Sequence, residues 1–114
     1  MRRDYPKHIK KLIREYGAIA FDRELSRELQ KLEAQFDEWK KGNISSEYLS
    51  NMVYKFTVGP SRQLYSRYNN SVIDMAVAYA IVNGILSKDD LPDELLQHLE
   101  RVTEFYEEMR ARGD

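Results

Sequence analysis

The stretch from residue 72 to residue 86 is the most apolar part of the chain, and it constrains the fold more than any other feature. Its apolar side chains occur at positions that point around almost the whole circumference of a helix. A helix of this kind is stable only where other elements cover it on every side. It is also shorter than the roughly 20 residues that span a bilayer. We therefore predict a buried central helix over residues 72–86, and no membrane segment.

Helical periodicity continues on the N-terminal side of this stretch. Large apolar residues recur at steps of four and three, the pattern of a coiled-coil seam, at Leu25, Leu29, Leu32, Phe36 and Trp39. Lys40-Lys41-Gly42 then has the composition of a helix C-terminus. An earlier stripe follows Pro6 and includes Ile9 and Ile13, with Gly17 between the two stripes. Residues 7–41 therefore form either one long helix or two helices that break at Gly17.

Start and stop signals divide the rest of the chain into further helices. Ser45 is a good N-cap, and Val58-Gly59-Pro60 predicts the end of that helix and the start of a short one over residues 61–68. Pro92 begins a last amphipathic helix. Its inward positions are Leu95, Leu99, Val102, Phe105 or Tyr106, and Met109. We predict an all-α bundle of five or six helices in a single domain, residues 1–114.

The composition narrows the possible chemistry. The chain has 114 residues and no cysteine, which excludes disulfides, thiolate metal sites and a thiol nucleophile. The absence of cysteine is compatible with a reducing compartment, so we expect a cytoplasmic protein. No glycine-rich phosphate loop and no serine-hydrolase motif is present. His8 and His98 do not form a ligand pair. We therefore expect neither a cofactor nor a catalytic residue.

Charge is unevenly placed along the chain although the net charge is only −1. Residues 1–16 carry six basic and two acidic side chains, and residues 87–114 carry four basic and nine acidic ones. One interpretation is a basic arm that binds phosphate. The one we favour is that the two ends attract each other, within the fold or across a dimer. A near-neutral chain gives no general attraction to nucleic acid, so nucleic acid is not an expected partner.

Asp74 is an acid at the start of the apolar central helix. Burying a lone carboxylate costs several kcal/mol, so the side chain must be paired, hydrogen-bonded, protonated or bound to a metal. The nearest cations that precede it in sequence are Arg62 and Arg67. We predict a structural ion pair between Asp74 and one of these two arginines.

Arginines and tyrosines are concentrated just before Asp74. Guanidinium groups pair with anions, and tyrosine rings bury contact area at low entropic cost. The candidate binding residues, for an anion or a protein partner, are Arg62, Tyr65, Arg67, Tyr68 and Asn69. The alternative is that an arginine pairs with Asp74 and the tyrosines fill the edge of the core.

Three acids allow an enzymatic alternative. The segment from Leu32 to Asn43, which contains Glu33 and Asp37, together with Asp74 before Met75, resembles the acid-bearing helices of the all-helical nucleotide pyrophosphohydrolases. That resemblance implies Mg²⁺ held by Glu33, Asp37 and Asp74 against a nucleoside triphosphate. The pattern departs from that family's in two ways: Glu33 and Asp37 are four residues apart rather than three, and Ser71 or Asn70 stands where the second motif has the Glu that pairs with Asp74.

A second alternative is a helix-turn-helix DNA-binding protein. Ser45-Ser46-Glu47-Tyr48-Leu49-Ser50, followed by Gly59 and another helix, resembles the recognition portion of some bacterial regulators. The spacing to Gly59 is off by one residue, and no basic side chain precedes Lys55 on this helix. Both facts count against it.

A further resemblance covers two short segments. Val58-Gly59-Pro60-Ser61-Arg62 with the following Leu64 to Asn69, and Asp90-Leu91-Pro92-Asp93-Glu94-Leu95, are similar to small uncharacterised all-helical prokaryotic proteins, archaeal ones among them. This resemblance implies a helical fold and no particular activity. We interpret the chain as a non-enzymatic interaction or assembly protein that forms a homodimer. An unidentified protein is a second candidate partner.

Overall fold

The computed structural model of the chain describes residues 4–113. It is 80% helical and has no strand among these residues, which confirms the prediction of an all-α multihelical fold. The α-helices are α1 (Lys7–Lys40), α2 (Ser46–Phe56), α3 (Arg62–Tyr68), α4 (Ile73–Val82), α5 (Asp93–His98) and α6 (Glu100–Ala111). A π-helical turn (Thr57–Ser61) joins α2 to α3, and a 3₁₀ turn (Lys88–Asp90) precedes α5. No helix in this part of the chain combines the length and apolarity needed to cross a membrane.

The chain is divided into two compact units. The core unit contains residues 4–20 and 67–113, and the hairpin unit contains residues 21–66. Helix α1 contributes to both, its first part to the core unit and its second part to the hairpin unit. Because helix α1 has residues in both units, the division does not by itself define two domains. The single domain over residues 1–114 therefore stays a prediction.

Helix α1 is continuous over 34 residues, about 51 Å at 1.5 Å per residue. It does not break at Gly17, and this decides between the two alternatives for residues 7–41. Gly17 is instead buried against α4, where a Cβ atom would come within 2.8 Å of Ile73 Cδ1. The glycine therefore permits a close approach of two helices in the core unit.

Local signals define both sides of the loop between α1 and α2. Gly42 has φ of 81°, its N–H donates to the Trp39 carbonyl, and the Asn43 N–H donates to the Glu38 carbonyl. This pattern is a Schellman motif, in which a left-handed glycine satisfies the last carbonyls of a helix. Ser45 caps α2 by accepting a 3.0 Å hydrogen bond from the Tyr48 N–H. Both predicted helix ends are confirmed.

The predicted helix end at Val58-Gly59-Pro60 is wrong. The chain stays helical through a π turn, and Phe56, Thr57 and Arg62 all have right-handed helical dihedrals. Proline has no N–H, and inside a regular α-helix its ring crowds the carbonyl four residues earlier. A π turn changes the spacing of donors and carbonyls, so the helix can continue past Pro60.

Helix α4 is the centre of the core unit. Most of its side chains are buried, among them Ala76, Val77, Ala80 and Ile81. It ends at Val82, earlier than the predicted residue 86, because Gly84 adopts φ of 73° and a second Schellman motif closes the helix. The buried side chains of Ile85 and Leu86 continue the apolar surface beyond the helix.

The last predicted helix is divided in two. Leu99, with φ of −97° and ψ of 2°, separates α5 from α6. Leu95, Leu99 and Val102 are buried, as predicted. Of the two alternatives at the next position, Tyr106 is half-buried and Phe105 is exposed, so Tyr106 faces inward.

Candidate functional site

Asp74 lies in the first turn of α4 and is only 2% exposed. The Tyr5 hydroxyl donates a buried 2.9 Å hydrogen bond to its Oδ2 atom. Tyr5 is itself buried, just before α1 begins. A carboxylate in the first turn of a helix is also stabilised by the helix dipole. The acid is therefore part of a polar contact inside the core unit.

Arg67 lies in the same unit and contacts Tyr79, one ring of an aromatic pair. Its guanidinium carbon is 4.7 Å from the centre of the Tyr79 ring, a cation–π contact. The Tyr79 and Tyr106 rings meet nearly perpendicularly, with centroids 5.8 Å apart. We call Arg67, Tyr79 and Tyr106, together with Asp74 and Tyr5, the Arg67 cluster.

Burial and nearby charges both affect the pKa of the Tyr106 hydroxyl. Burial raises its pKa above the ordinary value, the Arg67 charge acts in the lowering direction, and Asp74 and Tyr79 act in the raising direction. The phenol therefore remains protonated at neutral pH and can donate a hydrogen bond. Arg67 and Asp74 are both close enough to act on the same hydroxyl.

This placement bears on the predicted ion pair. Arg67 lies in the same compact unit as Asp74, as a pair between them requires. Arg62 is exposed and belongs to the hairpin unit. The Asp74–Arg67 pair stays a prediction, and Arg67 is now its better candidate cation.

The five predicted binding residues have different environments. Arg62 and Tyr65 are exposed in the hairpin unit, where the Tyr65 ring contacts Phe21 edge-on at 6.5 Å. In the core unit, Asn69 is exposed, whereas Tyr68 is only 3% exposed. Tyr68 fills the core, which agrees with the structural alternative for the tyrosines.

The metal-dependent alternative gains no support from residues 4–113. No group of three or more histidine, aspartate or glutamate side chains that could hold a metal ion is found there. Glu33 and Asp37 are exposed along α1, whereas Asp74 is buried.

The helix-turn-helix alternative needs a turn at Gly59. Gly59 lies inside the π turn, and α2 continues through it into α3. The segment from Ser45 to Tyr68 is therefore one helix with an irregular turn, and it lacks the two crossing helices of that motif.

The two charged ends of the chain meet within the core unit. His8 Nε2 is 3.3 Å from Glu94 Oε2, and the Tyr16 hydroxyl donates a 3.1 Å hydrogen bond to the Asp90 carbonyl. Neither contact joins a lysine or arginine to a carboxylate, so attraction between the basic and acidic ends stays a prediction. Arg2 and Arg3, which contribute to the basic end, lie outside the described residues.

The hairpin unit exposes most of the large apolar side chains on the surface. Ten such side chains are exposed in the described residues, and eight of them belong to this unit. They are Leu29, Phe36, Trp39, Tyr48, Val53, Tyr54, Val58 and Tyr65. We call this set the hairpin apolar surface. Within residues 21–66, only Leu49 and Leu64 are buried apolar side chains.

A groove of about 270 Å³ adds to the apolar character of the hairpin unit. Leu32 from α1, Met52 and Phe56 from α2 and Pro60 from the π turn contribute its apolar lining. Lys31 and Lys55 are among its charged lining residues.

Comparison of the chain with protein-family models, with curated proteins and with solved structures finds no match.

Sequence reasoning identified Asp74 and Arg67 but not the tyrosines around them. Tyr5 is 69 residues from Asp74, and no periodic pattern links the two positions. Tyr79 and Tyr106 occupy ordinary helix positions on α4 and α6. A polar residue in an apolar helix indicates that partners exist, but it does not say which distant residue supplies them.

Proposed function

We propose that the protein is a non-enzymatic interaction or assembly protein that forms a homodimer through the hairpin apolar surface. The observation that carries this proposal is the concentration of exposed large apolar side chains on residues 21–66. A concentration of exposed large apolar side chains in one part of a protein is typical of an interaction site.

A two-helix hairpin has little capacity to bury apolar side chains by itself. Each helix can cover only one side of the other, so a stable core requires at least one further layer. Two hairpins from two copies give four helices, and a four-helix bundle encloses an apolar core. The four-three spacing of Leu25, Leu29, Leu32, Phe36 and Trp39 is the pattern by which helices pair side by side.

Charge also favours a second copy of this chain as the partner. Residues 21–66 contain seven acidic and seven basic side chains, so the segment has no net charge. Two hairpin units therefore do not repel each other as like-charged surfaces do, and they offer both signs for contacts at the rim. Since the chain contains no cysteine, no step of this association needs an oxidising compartment, and we place the dimer in the cytoplasm.

Light scattering coupled to size-exclusion chromatography tests the proposal. A dimer has twice the 13.5 kDa mass of the chain, and the fraction of dimer falls on dilution. Leu29→Gln removes an apolar side chain that is 46% exposed on the hairpin apolar surface, and it is expected to shift the protein to monomer.

Ile19→Gln is the matched control. Ile19 lies on the same helix and is 41% exposed, but it belongs to the core unit. This variant is expected to keep the wild-type mass. A 13.5 kDa species at high micromolar concentration, or equal effects of the two variants, would contradict the proposal.

Trp39 supplies a second readout because it is the single tryptophan of the chain and belongs to the hairpin apolar surface. Its indole N–H donates a 3.0 Å hydrogen bond to the Ser46 hydroxyl. Association that covers the ring should shift its fluorescence to shorter wavelength as concentration rises. An emission maximum that does not depend on concentration would contradict coverage of this ring.

A further inference from the structure

A cleft of about 340 Å³ lies in the core unit next to the Arg67 cluster. Its apolar lining comes from Val72, Met75 and Ala76 at the start of α4. Its volume is within the range of small-molecule sites, which combine an apolar lining with a few polar groups.

Arg67 is the charged side chain that lines this cleft, and no carboxylate lines it. The guanidinium carbon lies 4.7 Å from the centre of the Tyr79 ring, and the group carries five N–H donors. Five donors can serve more than one acceptor, and their fork matches the two oxygens of a carboxylate.

Two further donors line the same cleft. Tyr106 contributes a phenol hydroxyl, which is protonated at neutral pH with or without the effect of burial on its pKa. Asn70 contributes its side-chain amide, whose oxygen already accepts a 2.8 Å hydrogen bond from the Val72 N–H. That hydrogen bond orients the amide and occupies one of the two lone pairs of its oxygen. The polar lining therefore offers mainly donors, which suits a ligand that has only acceptors.

The charge of the ligand follows from Asp74. This buried carboxylate acts on the Tyr106 hydroxyl together with Arg67, so it offsets part of the arginine charge near the cleft. A ligand with one negative charge fits this balance better than a multiply charged phosphate.

From these contacts we propose that the cleft binds a small monocarboxylate with an apolar or aromatic body. Arg67 and Tyr106 hold the carboxylate, Asn70 donates to it, and the body of the ligand lies against Val72, Met75 and Ala76. All these residues belong to the core unit, so the site does not depend on the proposed dimer.

An NMR titration of ¹⁵N-labelled protein with benzoate tests the site, with benzamide as a neutral probe of the same shape. Benzoate is expected to shift the Arg67 side-chain N–H and the Asn70 and Val72 amide signals with saturation. A single arginine–carboxylate contact corresponds to millimolar affinity, about 1 mM. Benzamide, which lacks the charge, is expected to bind about tenfold more weakly.

Tyr106→Phe removes one hydroxyl and keeps the ring, and it should weaken benzoate binding about fivefold, as the loss of one hydrogen bond does. Tyr65→Phe is its control, because Tyr65 is an exposed tyrosine of the hairpin unit and does not line the cleft. Arg67→Lys keeps the charge but loses the paired N–H donors of the guanidinium, so it should weaken benzoate binding more than Tyr106→Phe does.

Three results would overturn the proposal. The first is the absence of saturable shifts at these residues. The second is equal binding of benzoate and benzamide, which would show an apolar cleft without a carboxylate site. The third is wild-type affinity in Tyr106→Phe. Inorganic phosphate that binds more tightly than benzoate would overturn the assignment to monocarboxylates.

Discussion

The two units of this chain differ in how their apolar side chains are covered. In the core unit, α4 is surrounded, and residues such as Val77, Leu95 and Leu99 have no exposed surface. In the hairpin unit, Leu49 and Leu64 are buried while eight large apolar side chains remain exposed. The core unit therefore contains its own stabilising contacts, and the hairpin unit has apolar surface left for a partner.

Two glycines show the same difference on a smaller scale. Gly17 is so closely packed that an added Cβ would come within 2.8 Å of Ile73, whereas nothing lies within 4 Å of the same position at Gly59. Contact with Ile73 therefore disfavours a larger residue at position 17, whereas the space around position 59 admits a side chain.

The largest expected effect concerns the buried acid of the core unit. If Arg67 pairs with Asp74, Arg67→Met leaves a buried carboxylate without its cation and should cost about 3–5 kcal/mol in the free energy of unfolding. Arg67→Met combined with Asp74→Leu removes both charges and should recover much of this loss. Urea denaturation of the single and double variants measures the coupling.

Arg62→Met is the control for that cycle, since Arg62 is exposed in the hairpin unit. A change within about 0.5 kcal/mol is expected for such a surface substitution. If the losses at Arg67 and Asp74 simply add, the pair does not exist. A large loss at Arg62 that couples to Asp74 would make Arg62 the partner.

Truncation of leucines compares the two units directly. Leu95→Ala in the core unit should cost about 2–5 kcal/mol, because it opens a cavity around a fully buried side chain. Leu29→Ala should cost less than about 0.5 kcal/mol at the lowest protein concentration and more as concentration rises. Equal losses at all concentrations for both variants would remove the distinction between the units.

The hydrogen bond from Tyr5 to Asp74 has a smaller expected effect. Tyr5→Phe keeps the ring and removes the donor to a buried carboxylate oxygen, which should cost about 1–3 kcal/mol. Tyr54→Phe changes an exposed tyrosine of the hairpin unit and should leave stability within about 0.5 kcal/mol. Similar small values for both variants would show that the Tyr5 hydroxyl contributes little.

Alkaline pH should destabilise the core unit through Tyr106. Burial raises the pKa of this phenol in the folded state above the ordinary value of 10.0, so the folded state holds its proton more tightly. That stability is fully present below pH 10.0 and is lost as pH rises through the folded-state pKa. Chemical denaturation from pH 8 to 11 should show a shallower decline for Tyr106→Phe than for wild type. Parallel profiles would refute this assignment.

The smallest effects concern the two glycines. Gly59→Ala should stabilise by about 0.5–1 kcal/mol, because alanine loses less conformational freedom in a helix. Gly17→Ala should give no gain, since contact with Ile73 opposes it. Adding Ile73→Val, which removes the Cδ1 atom, should restore the gain. Equal thermal stabilisation by both glycine substitutions would show that Gly17 is not closely packed.

Much of the fold could be predicted because its signals are local. The N-cap at Ser45, the glycine end at Gly42 and the apolar α4 each depend on residues within one or two turns. The break of the last helix at Leu99 has no comparable signal, because leucine is a good helix former.

The candidate site was only partly predictable for the opposite reason. Asp74 was identifiable as a polar residue in an apolar helix, and Arg67 as a nearby cation in sequence. The contact of Asp74 with Tyr5 joins residues 69 positions apart, and the edge-to-face contact of Tyr79 with Tyr106 joins two helices. Such contacts follow from tertiary packing, which one sequence does not encode in any short pattern.

The π turn acts as a one-residue insertion in an otherwise regular helix. Leu49 and Phe56 are seven residues apart, which is two turns of α-helix, whereas Phe56 and Leu64 are eight apart across the π turn. The extra residue is absorbed between them, so Leu64 reaches the buried side. The π turn therefore lets the helix pass Pro60 and at the same time keeps Leu64 on the buried side.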